Sequence, residues 1–132
     1  MKNQSTPRVP VSWGELIDKI TILQIKRERL TDVSASSNVG RELDALNAIA
    51  APILAGDEAA RTLMTQLKEL NEILWDVEDR IRAKEAAGLF DADFVALARS
   101  VYQRNDQRAA LKKDLNRLLA SELVEEKSYK PY

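Results

Sequence analysis

Apolar residues recur along the second half of the chain at alternating spacings of four and three. Leu63, Leu67, Leu70, Leu74, Val77 and Ile81 form a heptad seam that only a helix gathers on one side. Beyond Gly88, Phe94, Leu97, Ala98, Val101, Leu115 and Leu119 make a facing stripe, interrupted by Asn105, Arg108 and Lys112. The stretch from Asp57 to Ser121 therefore predicts two long helices folded back on each other at Gly88. Each arm is over ~40 Å long at ~1.5 Å per residue. Asp57 and Asp91 are suited to cap the two helices at their amino ends, and Gly88 to end the first in a left-handed turn.

The first half of the chain supplies the cover. Ser12 followed by Glu15 is a capping box, with Val11 and Leu16 placed as a hydrophobic staple. The helix so begun spans Trp13 to Leu30. Trp13, Leu16, Ile17, Ile20, Leu23 and Leu30 share one of its faces, while Ile22 and Ile25 lie well away, so it needs covering on two sides. Thr31 to Asn38, with an Asp, several Ser and an Asn, reads as a connection. A second helix starts near Val39, carries Leu43, Leu46, Ala50 and Ile53 on its stripe, and stops or kinks near Ala50 because Pro52 removes a donor. The fold expected is all-α, an antiparallel four-helix bundle built on a long C-terminal helical hairpin. Residues 1–132 form one helical domain, with 1–11 an extended arm, 12–121 the bundle and 122–132 a charged tail whose Tyr129 and Tyr132 are placed to dock on it.

Composition narrows the chemistry. Twenty Lys and Arg against twenty-one Asp and Glu leave a net charge of -1, which gives no global field for nucleic acid. The chain has no Cys and no His, which removes disulfides, thiolate nucleophiles, imidazole bases and the usual zinc sites. Residues 1–10 lack the apolar run of a secretory signal, and no run of ~20 apolar residues spans a bilayer. The expected setting is cytoplasmic, with no cofactor, no nucleic acid and no membrane span.

Four segments resemble those of a bacterial family of small uncharacterised proteins. They are Val11-Ser-Trp-Gly-Glu-Leu-Ile-Asp-Lys-Ile-Thr-Ile-Leu23, Leu74-Trp-Asp-Val-Glu-Asp-Arg-Ile-Arg82, Ala98-Arg-Ser-Val-Tyr-Gln-Arg-Asn-Asp-Gln-Arg-Ala109 and Val124-Glu-Glu-Lys-Ser-Tyr129. They stand in the family's order across nearly the whole chain. Members of that family resemble domains found beside tetratricopeptide and glycosyltransferase modules, so the resemblance implies an accessory role in surface-polysaccharide biosynthesis. It brings no catalytic residues.

Three polar constellations remain. Glu69, Glu72, Asp76 and Asp79 stack four carboxylates along the third helix, the pattern with which helical phosphohydrolases hold magnesium. The stripe points almost opposite to the leucine seam, with Lys68 and Arg80 beside it, so a solvated face is the expectation. Leu16 to Leu30 is weakly similar to the first helix of helical chorismate mutases, which act through arginines and lysines alone. The other motifs of those enzymes are absent.

The third constellation lies inside the hairpin. Residues whose numbers sum to roughly 180 stand side by side, so Asn71 meets Arg108, Trp75 meets Asn105 and Glu78 meets Tyr102. Asn71, Glu78, Arg82, Asn105, Arg108 and Lys112 then flank the core, as a satisfied network or as an anion or sugar cleft walled by Trp75 and Tyr102. Arg108, within about 20° of Val101 on the helical wheel, is expected to be at least half-buried. Glu78 and Asn71 are its first candidate partners and Asp18 a further one. A hairpin longer than its cover, with Ile22 and Ile25 on the far side of the first helix, predicts a homodimer; a separate protein partner is the other candidate.

Overall fold

The computed structural model describes residues 5–132, and four helices account for the regular structure among them: α1 (Trp13–Arg29), α2 (Val33–Ala55), α3 (Glu58–Ala87) and α4 (Ala92–Leu118). The all-helical bundle expected from the periodicity is the fold found. α3 and α4 form the long hairpin, α1 lies along the groove between them, and α2 packs on the far side of α1 and against α3.

This order follows from the two faces of α1. Leu16, Ile20 and Leu23 pack with Val39, Leu43 and Ala50 of α2. Ile17, about 100° round the helix from Leu16, packs with Ala60, Leu67 and Leu115 of the hairpin. Ile25 is 1% exposed. The expectation that Ile25 forms an outward dimer contact is therefore wrong: the hairpin itself covers that side of α1, and Ile22 is half-buried beside it.

α2 departs from expectation at both ends. It starts at Val33 rather than near Val39, because Asp32 accepts from the Ala35 N–H at 2.8 Å and caps the helix ahead of the Ser-rich run. Ser36 adds a hydrogen bond to the Leu30 carbonyl at 3.3 Å. At the other end the helix runs through Pro52 to Ala55. Pro52 sits on the exposed side in the last turn, and Ala48, whose carbonyl has no donor from the proline, is exposed as well.

The hairpin turn follows the reading of its caps. Gly88 adopts φ 66, and Asp91 accepts from the Phe94 N–H at 2.9 Å. Lys84 bridges the turn to Asp91 at 2.8 Å, which together with the Phe94 amide holds the Asp91 carboxyl below its ordinary value.

The other end of the hairpin clamps the start of α1. A Cβ on Gly14 would lie 2.5 Å from the Lys112 carbonyl oxygen, so the two backbones touch where α1 crosses α4. The free amides of the first turn are met there: Gly14 N–H donates to Asn116 Oδ1 at 2.7 Å, Trp13 N–H to Ser121 Oγ at 3.2 Å and Glu15 N–H to Ser12 Oγ at 3.1 Å. Only half of the expected capping box forms, since the Glu15 carboxylate pairs with Lys112 at 2.7 Å instead.

Candidate functional site: a buried carboxylate and the cleft beside it

Asp18 sits at the centre of the polar residues that the hairpin gathers. It is 1% exposed, and its wheel position within about 20° of Ile25 turns it toward α3 and α4. Arg108 of α4 grips it with a fork, Nε donating to Oδ1 at 2.9 Å and Nη2 to Oδ2. Asn71 of α3 donates from Nδ2 to Asp18 Oδ1 and to Thr21 Oγ1, both at 2.9 Å. Thr21 in turn donates to the Asp18 carbonyl at 2.7 Å. One carboxylate thus ties three helices together.

A second cation stands behind the first. Lys112 Nζ lies 4.0 Å from Asp18 Oδ2 and is held by Glu15 at 2.7 Å and by Glu125 of the tail at 2.9 Å. Burial works to lower its pKa, but hydrogen bonds to Glu15 and Glu125 outweigh that and raise it. The hydrogen bonds to Asp18 likewise hold the Arg108 guanidinium above its ordinary value. Lys127 and then Lys112 pull the Glu125 carboxyl down to about 2. Every charge of the cluster meets its opposite.

The tail lies back along α4. Glu126 reaches Lys113 at 3.3 Å, and the Tyr132 ring meets Tyr102 edge-on at 4.7 Å between centroids while its hydroxyl donates to Asp106 at 2.7 Å. Tyr129 is largely exposed, with Lys127 over its ring.

Asn71, Trp75, Glu78, Asn105 and Arg108 share one cleft, whose apolar lining is Ile22, Ile25 and Leu74. Tyr102 is not part of that lining, being 41% exposed under Tyr132, and Arg82 is exposed on α3. Glu78, expected first among the Arg108 partners, is exposed at the cleft rim, and the carboxylate that Arg108 holds is Asp18. Asn71 meets Arg108 only through Asp18. Of the acidic stripe, Glu69, Asp76 and Asp79 are exposed and Glu72 half-buried, and Asp76 pairs with Arg29 at 2.6 Å. Among the described residues no group of three or more such side chains is placed to hold a metal ion.

Residues missing from the sequence reading of the site are Thr21, Asn116, Ser121 and Glu125. Thr21 is 60° from Asp18 by helical phase, a signal that was present; the other three depend on where α4 ends and the tail turns. No curated protein and no solved structure matches the chain. Residues 7–132, nearly the whole chain, match the family of unknown function DUF6165, and the chain belongs to that family.

Proposed function

We propose that the protein is a non-enzymatic interaction module that works as a two-fold dimer in the cytoplasm, an accessory of surface-polysaccharide biosynthesis as the family resemblance of its motifs implies. The observation that carries the non-enzymatic reading is that the charges of the Asp18 cluster are paired with one another. An electrostatic mutase needs cationic donors aimed at substrate charge, whereas Arg108 commits two N–H groups to Asp18, and Lys112 is held by Glu15 and Glu125. Among the described residues no helix is long and apolar enough to cross a membrane.

The shape of the hairpin supports self-association. α1 begins beside Asn116 and its last turn reaches Asp76, so the stretch of α3 and α4 beyond them has no third helix on it. That projecting end carries Leu89, Phe90 and Val95 at 52%, 61% and 52% exposure, an apolar patch suited to its own copy. Light scattering at micromolar concentration is expected to give twice the 14.9 kDa chain mass, and Phe90→Glu with Val95→Glu to halve it. A monomeric wild type refutes the dimer. A thermal-shift screen against dicarboxylates, nucleotides and magnesium tests the rest: stabilisation by any of them that Arg108→Met abolishes refutes the non-enzymatic reading.

A further inference from the structure

The cleft beside Asp18 holds about 310 Å³ between α1 and the middle of the hairpin. Two polar groups face it with hydrogen-bonding capacity left over. Asn71 is 6% exposed and uses its amide nitrogen on Asp18 and Thr21, while its Oδ1 has no donor among the described residues. Among the described residues no fully buried side-chain oxygen lacks a partner, so this one is not sealed in, and the cleft is what Asn71 lines. Arg108 uses Nε and Nη2 on Asp18, and among the described residues its Nη1 reaches only Asn105 Oδ1, at 3.5 Å. That separation is at the weak limit of a hydrogen bond.

The result is a fixed acceptor and a fixed donor presented together. Both are anchored by the same carboxylate, so a ligand need not order them on binding. Around them are the aliphatic chains of Ile22, Ile25 and Leu74 and the half-buried indole of Trp75, which is itself held under Arg29 at 5.7 Å. Glu78 and Asp79 stand at the rim as further acceptors.

We propose that this cleft binds a single neutral pyranose ring. Neighbouring hydroxyls on a pyranose supply an O–H to donate to Asn71 Oδ1 and an oxygen to accept from Arg108 Nη1, while the C–H face of the ring lies on Trp75. An anionic ligand fits worse, because Asp18 already neutralises Arg108 and the rim carboxylates repel it. A cationic one presents an ammonium, which has no lone pair with which to accept from Arg108 Nη1. The volume is at the low end for small-molecule sites, enough for one sugar ring and too small for a nucleotide sugar. The site binds and changes no bond, and it stands whether or not two copies associate. Its ligand is either a free monosaccharide or the terminal residue of a glycan.

The test is a nitrogen-15 NMR titration of the full chain with glucose, galactose and mannose, with their methyl glycosides and short oligosaccharides, and with glucuronate, glucose 6-phosphate and glucosamine as charged counterparts. At least one neutral pyranose is expected to shift the Trp75 indole and the Asn71 and Asn105 side-chain amides saturably. Its charged counterpart should bind about tenfold more weakly. Trp75→Ala should abolish the shifts, and Ile22→Trp, which fills the cleft without removing a contact to Asp18, gives the same loss should Trp75→Ala fail to fold. Tighter binding of an oligosaccharide identifies the glycan end as the source; binding of the monosaccharide alone identifies the free sugar. The inference is overturned by no response to any neutral sugar at about 100 mM, by tighter binding of the charged forms, or by binding that survives Ile22→Trp.

Discussion

Replacing Arg108 by Ala would strand the Asp18 carboxylate in the bundle. Two unit charges ~4 Å apart at an effective dielectric near 20 attract by about 4 kcal/mol, and removing one partner of a buried pair costs about 3 to 5 kcal/mol. Here the lower end applies. Asn71 still donates to Asp18, Lys112 stands 4.0 Å away, and the 29% exposure of the Arg108 side chain gives water a path inward. The expected loss is about 3 kcal/mol in urea unfolding followed by circular dichroism, at one protein concentration so that self-association does not shift the midpoint. Arg108→Met alone should lose a similar amount, whereas Arg108→Met with Asp18→Asn leaves no buried charge unmatched and should fall short of the sum of the single losses by roughly 2 kcal/mol. A loss under about 0.5 kcal/mol, or additive single losses, would refute the buried pair.

Gly14→Ala should destabilise by about 1 to 2 kcal/mol in the same assay, since the new methyl meets backbone at the α1–α4 crossing and the gain in helix propensity offsets only part of that. Ala120 holds φ 50 just past the end of α4, so Ala120→Gly should raise stability by about 0.5 to 1 kcal/mol; an unchanged midpoint counts against that backbone. Glu125 has its carboxyl lowered from 4.5 to about 2 by Lys127 and Lys112, so its stabilising contribution is complete above pH 4.5 and is lost as pH falls through about 2. At 40% exposure solvent screening limits that contribution to about 1 kcal/mol or less, and a Tyr132 chemical shift that follows the Glu125 titration is the readout.

The periodic stripes of this fold and the caps of its hairpin were legible; the start of α2, the partner of Arg108 and the path of the tail were not. Heptad spacing on α3 placed Leu67, Leu70 and Val77 in the core, and helical phase put Arg108 at the core margin; all four are where the pattern sets them. Phase within one helix does not give the rotation of a neighbour. Asp18 therefore ranked behind Glu78 as an Arg108 partner, although its position near Ile25 on the wheel carried the information once α1 is covered on two sides. Composition puts the start of α2 too late because Ser34, Ser36 and Ser37 favour turns, while the single cap at Asp32 decides the helix. The tail has no period to read, so the pairing of Glu125 with Lys112 and of Tyr132 with Tyr102 follows only from the path the chain takes after Ala120.

The claim on which the rest depends is that Arg108 closes on Asp18 inside the bundle. Hydrogen exchange at the arginine Nε positions, followed by NMR, tests it most directly. The Arg108 Nε–H is expected to be protected relative to exposed arginines such as Arg80 and Arg99, with that protection lost in Asp18→Asn. An Arg108 Nε–H that exchanges as fast as theirs in the wild type would contradict the account.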